Sequence, residues 1–131
     1  MGLASCGFDQ KDRITKRWVD KLTGKTPDDV DVYFTSHGWA KIYPQADKVD
    51  AIQHVQYVKT TKSGTTYKLD YHPGGNPKQP NIHGNDYWKI YKTNGSEDTV
   101  FGRIGYGDFK NYELISNSPV YVDGILMNGG V

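Results

Sequence analysis

The spacing of apolar residues changes once along this chain, near Pro44, and that change decides the fold class. Before it the pattern is helical. Residues Asp9 to Leu22 set Ile14, Trp18, Val19 and Leu22 at helical spacing in a charged segment, and Gly24 stops the run. Thr26-Pro27-Asp28-Asp29 then reads as a helix start, with Thr as N-cap, Pro at the first helical position and acids in the first turn. This second helix turns Val30, Tyr33 and Phe34 inward and ends near His37-Gly38. After Pro44 the runs are short, β-branched and aromatic. Ala51 to Thr60 and Thr65 to His72 are strands joined by the turn Thr61-Lys62-Ser63-Gly64. Pro73 to Asn85 is a long loop with three Pro and three Gly. Asp86 to Thr93, Thr99 to Tyr106 and Pro119 to Leu126 complete the strands, with Asn94-Gly95-Ser96 turning between the first two. Helices first and antiparallel strands after give an α+β fold, with two N-terminal helices packed on a sheet of about four to five strands.

Alternation along each strand sorts the side chains onto two faces. Tyr67, Leu69 and Tyr71 share one face of their strand, and Lys68, Asp70 and His72 the other. In the next strand Trp88 and Ile90 are the core pair, leaving Tyr87, Lys89 and Tyr91 opposite. Val100 and Ile104 are expected inward, Phe101 and Arg103 outward. If these strands are neighbours, one sheet face gathers Lys, Asp, His, Tyr and Arg. The run from Ala51 to Thr60 does not sort cleanly, so His54 has no assigned face.

With 131 residues, the chain is the length of a single domain spanning 1–131, and ten Tyr, three Trp and four Phe enlarge what its 36% hydrophobic residues can bury. Cys6 is the only cysteine, which rules out a disulfide within the chain and any zinc site built on two thiolates, and with it the zinc-dependent nucleobase deaminases. No run approaches the roughly 18 apolar residues of a membrane span. Leu3-Ala4-Ser5-Cys6-Gly7 has the look of a lipoprotein cleavage box, but only Met1 and Gly2 precede it, so no lipid anchor is expected. The net charge of +1 hides a swing. Thr26 to Asp50 holds five Asp against two Lys, a net of −3, while Lys59 to Lys92 holds six Lys against two Asp, a net of +4.

The basic part also carries the chemistry. His72 and His83 flank the Gly/Pro-rich loop, eleven residues apart. Imidazole titrates near neutrality, so two of them can divide the work of metal-independent RNA cleavage: one takes the 2′-hydroxyl proton, the other protonates the departing 5′-oxygen. Lys68, Lys89 and Arg103 are candidates for the cation that such a reaction needs beside the phosphate. Tyr87 and Tyr91 are candidates for stacking on unpaired bases. His37, at the predicted end of a helix, fits a dipole partner better than a catalyst. No metal or other cofactor is expected.

The text KLDYHPGG…IHGNDYWKIYK, behind two helices and followed by antiparallel strands, resembles the C-terminal toxin domains of contact-dependent growth inhibition and related polymorphic toxin systems. Many of these are similar to the barnase/EndoU/colicin/RelE ribonuclease group. The resemblance is specific over Tyr67 to Lys92 and otherwise rests on layout. It implies N-terminal helices on a curved antiparallel sheet and a ribonuclease using His72, His83 and a nearby Lys or Arg. It also implies tRNA as substrate and an acidic immunity protein covering His83, Lys89 and Arg103. Such a domain acts as a secreted or cell-surface effector delivered into the target-cell cytoplasm. Two other readings use the same residues. His72-Pro73-Gly74-Gly75-Asn76 with His83 has some likeness to His-Asn-His metal nucleases, though a strand follows where that motif needs a helix. A non-enzymatic binding module would use the Tyr-rich face against a protein.

Overall fold

A computed structural model describes residues 3–44, 46–47, 54–74, 84–108 and 117–128. Helix α1 spans Leu3–Leu22 and α2 spans Pro27–Ser36. The amphipathic stripe expected from Asp9 onward is the part that packs: Val19 and Leu22 are buried, and Ile14 and Trp18 lie against the same core. At the start of α2 the Thr26 backbone N–H donates to the Asp29 carboxylate at 2.9 Å, closing the first turn. Val30 and Phe34 point inward from this helix, with Tyr33 partly buried beside them.

The strands are β1 (Ala40–Ile42), β2 (Val55–Thr60), β3 (Thr66–His72), β4 (Tyr87–Asn94), β5 (Glu97–Gly105), β6 (Val120–Val122) and β7 (Ile125–Leu126). They form one sheet whose spatial order is the chain order, antiparallel throughout except where β6 joins β5 in parallel. Seven strands replace the four to five expected, and the excess has local causes. Strand β1 is three residues long, too short to show alternation. The single strand expected from Pro119 to Leu126 is a hairpin: Asp123 and Gly124 both take positive φ, 52° and 82°, and fold β7 back on β6. Asp-Gly is a sequence suited to that two-residue turn. Of the segment expected as a strand from Ala51, residues 51–53 lie outside the described residues.

The two helices cover one sheet face. Tyr57, Leu69, Tyr71, Trp88, Ile90, Phe101 and Ile104 meet Val19, Leu22, Val30 and Phe34 in one buried cluster. Polar ends are satisfied at its margins, as where Trp88 Nε1 donates to the Lys25 carbonyl at 2.9 Å. Helix α1 sits close on β5. Thr15 is fully buried and donates its hydroxyl to the Phe101 carbonyl at 3.0 Å, and a Cβ on Gly102 would lie 2.1 Å from that hydroxyl oxygen. Only glycine admits the helix at that distance.

One inward–outward expectation fails here. Phe101 is buried in the helix-side core rather than turned outward, and Val100 pairs with Tyr91 on the other face. A register shift between Ile90 and Tyr91, which pair with Gly102 and Val100, leaves Phe101 as an extra residue in β5 and reverses the alternation beyond it.

Candidate functional site

The face away from the helices is built by β2 to β5, and its rows follow from the register. Gln56 pairs with Asp70, Asp70 with Lys89, and Lys89 with Arg103, so one row crosses four strands. One step along, His72 pairs with Tyr87; one step the other way, Lys68 pairs with Tyr91. The residues sorted onto this face from the sequence of β3 and β4 therefore meet, and Arg103 joins them because it lies past the bulge, in regular pairing with Lys89.

Asp70 is the centre. It is 4% exposed, although carboxylates are seldom buried without partners. His72 Nε2 lies 2.7 Å and His54 Nδ1 3.4 Å from the same Asp70 oxygen, Oδ2. The two imidazole rings are 4.2 Å apart at 61°, and the other side of His72 is covered by Tyr87, stacked at 4.7 Å and nearly parallel. Burial pushes the Asp70 carboxyl up, but the two imidazoles outweigh it and hold the group below the ordinary carboxylate value. His72 moves down as well, first through burial and then through the nearby His54 and Lys89, against the pull of Asp70.

Lys89 and Arg103 stand side by side in the row, and neither forms an ion pair among the described residues. Burial lowers the Lys89 pKa, and the Arg103 charge lowers it further. Arg103 Nε is buried with no hydrogen-bond partner among the described residues. Asp70 is the carboxylate beside Lys89 in the row, but it is already shared by two imidazoles. An anion over Lys89 and Arg103 would relieve the cost of holding two adjacent cations partly out of water. Lys68 differs. Its ammonium is 3.1 Å from the Asp98 carboxylate, which also accepts a hydrogen bond from Thr93 at 2.6 Å.

Other expected residues fall as follows. His83 lies outside the described residues, as does most of the loop before it. Tyr87 is 5% exposed, so the ring expected to stack on a base stacks on His72 instead and holds the imidazole in place. Tyr91 is partly buried, with the Lys89 ammonium 5.5 Å from its ring centre, and burial drives its hydroxyl pKa up to about 12. His37 is remote from the site; its Nδ1 donates to the Tyr33 carbonyl at 2.6 Å and its ring stacks on Tyr33, the helix-end role expected of it.

His54 is the residue that sequence reasoning left unplaced. The signal was available in Tyr57: once that residue is fixed inward, opposite Leu69, period two places His54, Gln56 and Val58 outward together. No family model, curated protein or solved structure matches this chain.

Proposed function

We propose that this domain is a metal-independent endoribonuclease whose site is the Asp70–His72–His54 cluster with Lys89 and Arg103. The observation that carries the reading is one buried carboxylate oxygen set against two imidazoles, beside two cations that form no ion pair among the described residues. The single Asp70 carboxylate touches both imidazoles, and its charge works against the burial that lowers the His72 pKa. Cleavage requires one imidazole to act as the base and the other as the acid, and the two rings stand 4.2 Å apart against the same carboxylate.

The neutral ring takes the proton of a ribose 2′-hydroxyl, and that oxygen attacks the adjacent phosphorus. The bond from phosphorus to the 5′-oxygen breaks, and the charged ring gives its proton to that oxygen. The products are a 2′,3′-cyclic phosphate and a 5′-hydroxyl. Lys89 and Arg103 neutralise the charge that grows on the phosphoryl oxygens. Tyr91 is the aromatic residue left to meet a base, and Lys68, already paired with Asp98, has the lesser share. His83 is the alternative second imidazole; in sequence it falls between the end of β3 at His72 and the start of β4 at Tyr87.

The reading extends to tRNA as substrate and to a toxin delivered into the cytoplasm of a competing cell. Its producer needs a protein that blocks the site. An acidic immunity protein laid over Lys89 and Arg103 does so by imitating phosphate, and its association should slow as salt rises.

The test is incubation of the domain with total tRNA, with and without EDTA, and analysis of the fragment ends. Cleavage in EDTA with cyclic phosphate ends is expected. Strict dependence on a divalent ion overturns the mechanism, and no cleavage of any RNA overturns the assignment.

A further inference from the structure

The imidazole pair has a second chemistry, independent of how it handles protons. Asp70 and His72 on β3 and His54, directly before β2, each offer one ligand atom, and these atoms all lie within 4.8 Å of one another. Two neutral imidazoles and one carboxylate are a donor set suited to zinc and its transition-metal neighbours rather than to magnesium or calcium. Around a tetrahedral ion with bonds of about 2.0 to 2.2 Å, donor atoms stand roughly 3.3 to 3.5 Å apart. His54 and Asp70 meet that spacing at 3.4 Å. His72 and Asp70 are closer, at 2.7 Å, and must open by about 0.6 to 0.8 Å, which a swing of the imidazole supplies.

Two further observations point to a ligand. The Nε2–Oδ2 approach is short, yet His72 Nε2 makes no properly aligned hydrogen bond among the described residues. Asp70 Oδ1 is buried and also lacks a hydrogen-bond partner among them. A fully satisfied Asp–His dyad leaves neither atom in that state, whereas an ion set between the two side chains takes up their lone pairs.

We infer that His54, Asp70 and His72 bind one zinc-class divalent ion, and that the bound ion shuts the site off. Coordination occupies the nitrogen lone pair that each imidazole needs to accept a proton, so the bound state has neither base nor acid. Lys89 and Arg103 repel a cation in the same row, which keeps the ion exchangeable rather than structural. The binding half stands on the cluster alone, while the inhibitory half rests on the ribonuclease reading.

Both halves are tested on the whole chain by titrating zinc chloride against a chromogenic chelator and assaying tRNA cleavage in parallel. One zinc per chain is expected, weakened at least tenfold in His54→Gln and separately in His72→Gln, with no competition from magnesium. His54 stands at the edge of β2, so His54→Gln keeps the comparison valid should His72→Gln fail to fold. Zinc bound equally well by both variants, or not bound at all, overturns the site. Cleavage that falls at least tenfold with zinc and returns with EDTA supports the switch. Cleavage unchanged by bound zinc, or dependent on it, overturns the switch while leaving the site. Absence of cleavage under every condition removes the ribonuclease reading and the switch with it, and the chelator titration still decides the site.

Discussion

The two faces of the sheet solve opposite problems with neighbouring residues. In β4, Trp88 and Ile90 disappear under the helices, while Lys89 between them is carried to the other side in a row of polar groups. The helix face is closed by apolar contact, and the polar groups at its edge have partners, as Trp88 has in Lys25 and Thr15 in Phe101. The opposite face buries Asp70 and partly desolvates Lys89, yet leaves Asp70 Oδ1 and Arg103 Nε without hydrogen-bond partners among the described residues. Stability is therefore concentrated on one face, and unspent electrostatic potential on the other. Such a division is expected where a rigid layer supports a reactive one.

The comparison breaks most visibly at Ile90. Ile90→Ala removes a side chain with no exposure from the centre of the core and should cost about 2–5 kcal/mol in denaturant unfolding. A loss below about 1 kcal/mol would mean that the helix face is not where stability resides. The next largest effect belongs to the other face. His72→Ala should reduce RNA cleavage roughly 100-fold or more, the range for loss of a general acid or base. The variant should stay folded by circular dichroism. Full activity in that variant sinks the proposed role of His72.

A third effect sharpens the contrast through pH. His72 is held below its ordinary value of 6.5, chiefly by burial, so the unfolded chain binds a proton there that the folded chain does not. As pH falls from 6.5 toward the lowered folded value, stability must fall with it. Melting temperatures followed from about pH 8 to about pH 5 should show this loss, and His72→Gln should show less of it. An identical acid limb in that variant would assign the loss to other groups. The smallest effect is expected for Lys68→Ala. The Lys68–Asp98 pair is solvent-accessible and should contribute only about 0.2–1 kcal/mol. A cleavage defect as large as that of His72→Ala would return Lys68 to the centre of the site.

How far the sequence could be read depended on regularity. The seven residues of β3 and eight of β4 keep strict alternation, so the sequence alone assigns Asp70, His72, Tyr87 and Lys89 to one face. The helix start at Thr26-Pro27 was equally legible, because capping is local chemistry. Reading failed where a single residue changes the phase. The extra residue Phe101 reversed the order in β5, and the Asp123-Gly124 turn cut one expected strand in two. His54 was missed because it precedes the first residue of its strand, where period two has nothing to count from. The burial of Tyr87 was not legible either, since it depends on His72 across the pair.

The seat of α1 on β5 has a consequence for the order of assembly. Strands β1 to β5 follow one another in space as in sequence, so each can dock on the one synthesised just before it. The first helix meets its sequence neighbours only in part, through Trp18 on Phe34 and Trp39, and its seat on the sheet is far off in sequence. Thr15 meets Phe101 across 86 residues, and Asp12 accepts a hydrogen bond from Tyr121 across 109. The side of this helix that faces β5 must wait for the last third of the chain before it is covered, and closing so long a loop is entropically slow. Late docking of this kind places Thr15 and Gly102 outside the folding nucleus. Loosening their contact should then hasten unfolding far more than it delays folding.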